Sequence, residues 1–224
     1  MIVSCGILHR RMESWLARLR RARWANLCVV NLRILIGFAF LPAALKKLLD
    51  QPFTDLSNTG PFHDFLHAFQ ATGWFYQFVG VLQLAAAALL CTQRFAFFGA
   101  LLALPILTAI TAFCWSTRVI PTATVASLMW LGTLGLLIWD LERWRGVARD
   151  RSPSPPVIEL RRWQWCGVAI FVLYVGTCIA HGGIYRPRGT ELDNPAFYVL
   201  PAIVLLPVIT LVLDARARRR SRGR

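Results

Sequence analysis

Residues 27–48 read LCVVNLRILIGFAFLPAALKKL, an apolar run interrupted by Asn31 and Arg33 and closed by two lysines. A helix needs roughly 17–25 mostly apolar residues to cross a bilayer, and this run is long enough. It is longer than the apolar core of a signal peptide, about 7–15 residues, and it lacks a clean small-x-small cleavage site. The run is therefore interpreted as a membrane anchor.

The rest of the chain repeats this pattern. The 224 residues are 56% hydrophobic and 16% charged, and the mean hydropathy is +0.51, which is too apolar for one soluble core. The sequence predicts an all-α, polytopic membrane helix bundle with six transmembrane helices, at 27–48, 74–92, 95–115, 120–139, 163–180 and 197–213.

Basic residues set the expected orientation. Most of the 25 lysines and arginines lie before the first span, at Arg94, between Arg143 and Arg162, and in the tail. The positive-inside rule then predicts that both termini are cytoplasmic. The expected parts are a basic N-terminal segment (1–26), a four-helix bundle (27–145), a cytoplasmic linker (146–162), a transmembrane hairpin (163–213) and a basic tail (214–224).

The net charge of +14 raises the question of a nucleic-acid partner. The arginines stand beside predicted spans, where they orient the chain and attract anionic lipid. No soluble module is evident that would carry a nucleic acid. The expected partners are membrane lipid and other membrane protein subunits.

A loop at 50–73 carries the first candidate site. Four apolar side chains recur there at helical spacing, so we expect a short helix lying on the surface or folded back over the bundle mouth: Phe62, Phe65, Leu66 and Phe69. Its polar side carries His63 and His67, one turn apart, and His181 is expected on the same side of the membrane. These three histidines are a candidate metal site. The alternative is a solvated polar face.

Polar side chains within the spans form the second candidate site. Arg33 in the first span and Lys46 and Lys47 at its end either anchor the helix by reaching the headgroups or have a functional role. Gln83 has no long stem and needs a partner inside the bundle, such as Thr108, Thr111 or Arg33. It is interpreted as a hydrogen-bonding link between helices or as a ligand contact.

The six cysteines are scattered singly, without a C-x-x-C motif, which gives no indication of a zinc knuckle or a redox pair. Cys114 and Cys178 are expected toward the same side of the membrane, so either they pair or they are small apolar fillers. No nucleophile–base pair and no phosphate-binding loop is evident, and catalytic residues are not assigned.

The order of short motifs in the first four spans resembles the DoxX-like membrane protein family. The resemblance covers 27–145 and rests on these motifs: Arg33-x-x-x-Gly37, Lys46-Lys47, Gln51-Pro52-Phe53, Gly73-Trp74, Gly80-x-x-Gln83-Leu84 and Trp139-Asp140. It implies a four-helix bundle to which the last two spans are appended. The family often has an acidic residue where Gln83 stands, so a proton-handling role tied to that carboxylate is in doubt here.

The function expected from this resemblance is that of a non-enzymatic subunit or accessory factor in the bacterial inner membrane. The alternative is a membrane subunit of a quinone-linked oxidoreductase, in which Arg33 and Gln83 face one cavity and a quinone is the cofactor. A small transporter is the third interpretation, although internal repeats and paired broken helices are not visible.

Overall fold

The computed structural model describes residues 16, 18–148, 158–185 and 194–222, and of residues 141–148, 195 and 218–222 it describes the backbone alone. Much of the predicted N-terminal segment and the proline-rich part of the predicted linker lie outside the described residues. The helices are α1 (Arg23–Leu48), α2 (Pro61–Ala71), α3 (Trp74–Cys91), α4 (Ala96–Ser116), α5 (Ile120–Ala148), α6 (Leu160–Ala180) and α7 (Val199–Arg222), with a 3-10 turn (Pro195–Tyr198) before α7.

All of these helices except α2 are long and apolar enough to cross a membrane, and no strand occurs in the described parts of the chain. The prediction of an all-α, six-span membrane helix bundle is confirmed, with span boundaries that differ from the predicted ones by a few residues. Which side of the membrane the termini face stays a prediction.

The spans alternate in direction, which gives the bundle two distinct ends. We call the end where α1 begins and α3 finishes the arginine end, because Arg20, Arg23, Arg94 and Arg162 lie there. The opposite end carries Lys46 and Lys47 and is called the lysine end.

Helices α1 and α3 form the closest pair in the bundle. A Cβ placed on Gly80 of α3 would lie 2.8 Å from the Cβ of Lys47 and 3.1 Å from the carbonyl oxygen of Ala44. A Cβ on Gly37 of α1 would lie 2.9 Å from the Sγ of Cys91. The two helices are therefore antiparallel, and small residues let their backbones approach closely.

Helices α4 and α5 make the second hairpin, and two tryptophans hydrogen-bond across it. The indole N–H of Trp130 donates to the hydroxyl of Thr108 at 2.8 Å, and that of Trp115 donates to Ser127 at 3.0 Å. A tryptophan in the middle of a span, such as Trp130, thus obtains the partner that its N–H needs in an apolar environment.

Helices α6 and α7 pack against each other and against the first four spans. A Cβ on Gly167 of α6 would collide with the carbonyl oxygen of Cys91 at the end of α3. Tyr174 of α6 meets Phe38 of α1 edge to face, with ring centroids 5.4 Å apart. Ile170 and Phe40 belong to one hydrophobic core, so the hairpin shares the core of the first four spans.

Helix α2 lies across the lysine end, as the spacing of its phenylalanines predicts. The Phe65 ring lies 4.4 Å from that of Phe113 on α4, and the Phe69 ring lies 5.1 Å from that of Tyr76 on α3. None of the residues in α2 is buried. The helix therefore covers the bundle mouth mainly through ring contacts, and Gln70 donates to the carbonyl oxygen of Asp50 at 2.8 Å. Gly60 and Gly73, both with positive φ, lie just outside its two ends.

Candidate polar centre within the bundle

The most strongly paired buried charges lie near the arginine end, between α1 and α5. The Nη2 atom of Arg33 donates to both carboxylate oxygens of Asp140, at 2.6 Å and 2.7 Å. Each of the two residues is 4% exposed. Asp140 is the last residue of the apolar part of α5, so the ion pair is sheltered within the packed ends of the helices.

Gln93 completes the centre from the turn between α3 and α4. Its Oε1 accepts a hydrogen bond of 3.2 Å from Nη1 of Arg33, and the residue is 1% exposed. Gln93 has a φ of 60°, a left-handed conformation that costs a residue with a Cβ roughly 1–2 kcal/mol. In this conformation the Gln93 side chain is buried in the bundle, while the next residue, Arg94, is exposed.

The three side chains form an electrostatic centre that connects separate helices. A charge inside a membrane is expensive, and an arginine without a counter-ion would not be tolerated at this depth unless it reached water. Here the carboxylate neutralises the guanidinium, and the amide oxygen accepts a further N–H. The arrangement stabilises the contact of α1 with α5 and with the α3–α4 turn.

A second acid–base contact ties the last helix to the first. Nη2 of Arg23 lies 3.2 Å from Oδ2 of Asp214 on α7, and the Asp214 side chain is 2% exposed. Arg20 lies three residues before Arg23, beyond the extended residue Ala22, donates to the carbonyl oxygen of Trp139 and lies over the Trp139 ring. Arg20 and Arg23 therefore contact α5 and α7, respectively, in addition to contributing to the orientation of the chain in the membrane.

Gln83 is buried, but the structure does not bring it to Arg33. It is 1% exposed, and its Oε1 has no hydrogen-bond partner among the described residues. In the α1–α3 register Gly80 faces Ala44 and Cys91 faces Gly37. Gln83 therefore lies nearer the lysine end than Cys91 by eight helical residues, about 12 Å. Arg33 contacts the α3–α4 turn instead.

The predicted threonine partners of Gln83 are engaged elsewhere or unpaired. The hydroxyl of Thr108 donates to the carbonyl oxygen of Leu104 at 2.8 Å. The hydroxyl of Thr111 is buried and, like the Gln83 oxygen, has no hydrogen-bond partner in the described structure. The interhelical hydrogen bond predicted for Gln83 is thus not seen at its carbonyl oxygen.

Lys46 and Lys47 close α1 at the lysine end and contact the loop that follows. The Lys47 ammonium lies 4.8 Å from the centre of the Phe53 ring and 5.6 Å from that of Tyr76, and the residue is 7% exposed. Lys46 donates to the carbonyl oxygen of Pro52 at 3.1 Å. The aromatic faces stabilise a cation that is largely removed from water, which accounts for the burial of Lys47.

The three histidines of the candidate metal site each contact a different residue. A hydrogen bond of 2.6 Å joins Nδ1 of His63 to Thr54, His67 lies 3.4 Å from the carbonyl oxygen of Asn58, and His181 stacks on Tyr185. Within the described ranges, no three His, Cys, Asp or Glu side chains are grouped so that they could hold a metal ion. Metal binding by these histidines stays a prediction.

Cys114 and Cys178 are both buried free thiols. Each lies near the lysine end of its own helix, Cys114 in α4 and Cys178 in α6. The structure therefore agrees with the expectation that each cysteine is a small apolar residue filling space in the core, rather than with a disulfide between the two.

The residues that pair with Arg33 and Arg23 were not singled out as site residues by the sequence: Gln93, Asp140 and Asp214. The positions of Asp140 and Asp214 in the sequence could have indicated their role. Each is an acidic residue at the arginine end of a span, where Arg33 needs a counter-ion. Gln93 carried no such indication, since its inward direction depends on the left-handed turn.

Comparison of the chain with protein-family models, with curated proteins and with solved structures finds no match. The resemblance to the DoxX-like family therefore rests on the motif order in the sequence alone. The six-span bundle and its polar centre are the findings from which a function is inferred.

Proposed function

We propose that this protein is a DoxX-like integral membrane subunit or accessory factor of the bacterial inner membrane, with both termini in the cytoplasm. The observation that carries the proposal is the buried Arg33–Asp140 ion pair with Gln93. The guanidinium and the carboxylate are directed at each other, which suits a rigid scaffold better than a reactive site, although Nε2 of Gln93 has no hydrogen-bond partner among the described residues. The motif order and the arginine-rich loops support the family and the orientation.

The physical basis is the cost of polar groups inside a membrane. A buried ion pair adds little net stability compared with apolar packing, but loss of one partner is strongly destabilising. Such a pair also restricts the arrangements in which helices can pack. A subunit that presents a defined lipid-facing surface to a partner benefits from that restriction, because the partner recognises one fixed arrangement.

Copurification from native membranes tests the proposal. The tagged chain would be isolated in a mild detergent, and its partners would be identified and quantified by mass spectrometry. We expect one or more membrane proteins in a fixed ratio to the chain. Recovery of the chain alone, at normal levels, would contradict the subunit or accessory role.

A matched pair of variants adds specificity to this test. Arg33→Ala removes the paired arginine, whereas Arg94→Gln removes an exposed arginine that lies over the Phe95 ring. We expect Arg33→Ala to lower the amount of chain and of partner together, while Arg94→Gln leaves both unchanged. Equal behaviour of the two variants would show that the centre has no part in assembly.

A second candidate function, a membrane subunit of a quinone-linked oxidoreductase, is favoured by one observation. The amide oxygen of Gln83 is a buried hydrogen-bond acceptor without a partner in the described residues, and a quinol hydroxyl is a donor of suitable chemistry. Arg33 is already bound by Asp140 and Gln93, so the proposed contact is with Gln83.

A flavin- or haem-bearing protein in the copurified fraction would favour this second candidate. Gln83→Leu should then weaken quinone binding without reducing the amount of chain. Unchanged quinone binding in Gln83→Leu would rule out a quinol contact at this residue.

A further inference from the structure

A groove opens between the first turn of α6 and the last part of α7, at the arginine end. It has a volume of about 470 Å³ and is lined by Arg162, Leu213, Arg216 and Ala217. This volume is within the range of about 300–1,000 Å³ that holds small ligands in proteins. The groove is lined by none of Arg33, Asp140 and Gln93. A ligand of the groove can therefore be inferred independently of the proposed function as a membrane subunit.

The charge of the groove favours an anion. Arg162 is about one-third exposed, and its guanidinium pairs with Glu159 at 2.9 Å and donates to the carbonyl oxygen of Leu213 at 3.2 Å. Arg216 is exposed. Asp214, next to the groove in sequence, is buried and turned to Arg23. Two guanidinium groups thus line the groove, and one flanking carboxylate, that of Glu159, pairs with Arg162.

Apolar surface runs from these arginines toward the middle of the membrane. On α7, residues that share the helical face of Arg216 are exposed over three turns: Leu205 (53%), Ile209 (51%), Val212 (42%) and Leu213 (51%). On α6, Leu173 is 40% exposed and lies on the helical face of Arg162. Such a surface suits acyl chains, because it is apolar and continuous with the charged groove.

Trp165 marks the depth of the groove in the membrane. It lies one turn beyond Arg162 on α6 and is 64% exposed. An exposed indole prefers the headgroup region, where its ring is buried and its N–H is hydrated. The arginines are therefore at the level of lipid phosphates, and the apolar faces of α6 and α7 are at the level of the chains.

We propose that the groove between α6 and α7 is a binding site for an anionic phospholipid. The phosphate contacts Arg162 and Arg216, since guanidinium groups bind phosphate oxygens through strong charge-assisted hydrogen bonds. The acyl chains lie along the exposed faces of α6 and α7. A soluble phosphate uses only the first of these contacts, and a zwitterionic lipid adds a cation that the arginines disfavour.

Lipid binding to the intact purified protein tests the site. Native mass spectrometry in a neutral detergent would count bound phosphatidylglycerol, phosphatidylcholine and glycerol phosphate at equal concentrations. We expect phosphatidylglycerol to bind best. An arginine near an anionic headgroup contributes enough attraction for about a fivefold change in affinity, so Arg216→Gln and Arg162→Gln should each weaken its binding by about that factor.

Arg161→Gln is the matched control, because Arg161 is an exposed neighbour that does not line the groove, and we expect less than a twofold change. If Arg162→Gln fails to fold, the exposed Arg216 carries the test. Three results would each overturn the proposal: equal binding of the two lipids, glycerol phosphate binding as tightly as phosphatidylglycerol, or an equal loss in Arg161→Gln and Arg216→Gln.

Discussion

Arg33 and Asp140 lie 107 positions apart in the chain, and one guanidinium nitrogen of Arg33 contacts both oxygens of the Asp140 carboxylate. The contact joins the first span to the fourth. Both side chains are almost completely removed from solvent, so each charge depends on the other.

The first prediction concerns the coupling of this pair. Arg33→Met and Asp140→Leu should each lower the free energy of unfolding by about 3–5 kcal/mol, because each leaves an uncompensated buried charge. The double variant should lose much less than the sum, since an apolar pair of similar volume is often tolerated. Unfolding in detergent, followed by circular dichroism, measures all three. Additive losses would show that the two charges are not coupled.

The second prediction concerns the left-handed residue in the α3–α4 turn. Gln93→Ala removes the acceptor for Nη1 of Arg33 and keeps a Cβ at a φ of 60°. Gln93→Gly removes the same acceptor but relieves the backbone, so it should be about 1 kcal/mol more stable than Gln93→Ala. Comparison of the two midpoints of unfolding checks this. An alanine variant at least as stable as the glycine variant would refute the argument.

The third prediction tests the packing of the C-terminal hairpin. A Cβ on Gly167 would meet the carbonyl oxygen of Cys91, whereas a Cβ on Gly135 would meet nothing within 4 Å. Gly167→Ala should therefore destabilise by about 1–3 kcal/mol, and Gly135→Ala should be neutral or slightly stabilising. Thermal unfolding in one detergent compares them. Similar midpoints would mean that α6 does not pack closely on α3.

The fourth prediction addresses the orientation of the bundle. Reporters fused after Asn58 and after Arg222 should be active on opposite sides of the membrane, with Asn58 outside and Arg222 in the cytoplasm. Alkaline phosphatase and a fluorescent protein are suitable reporters, because they work on opposite sides. A cytoplasmic signal from the Asn58 fusion would reverse the proposed orientation.

The sequence predicts the helices well because their signal is local. Apolar length locates each span to within a few residues, and the phenylalanine spacing from Phe62 to Phe69 locates α2. These properties depend on the solvent around a helix rather than on its neighbours. The order and type of the elements could therefore be predicted from the sequence, whereas helices α5 and α7 continue beyond the predicted spans to Ala148 and Arg222.

The polar contacts were less predictable because they depend on register and rotation between helices. The alternative quinone-linked interpretation places Arg33 and Gln83 in one cavity, an arrangement that helical phase permits but does not require. Their depths differ, and the α1–α3 register places Gln93, rather than Gln83, beside Arg33. A one-turn shift of α3 would change this result, and no local pattern in the sequence determines that shift.

The Arg33–Asp140 pair also has a consequence for biogenesis. The ribosome adds roughly 5–20 residues per second, so Asp140, 107 positions after Arg33, is made about 5–20 seconds later. During that interval the first span is complete and carries a cation whose counter-ion does not yet exist. The nascent chain must therefore keep Arg33 hydrated, by snorkelling to the interface or within the insertion machinery, until the fourth span arrives and Asp140 pairs with it inside the bundle.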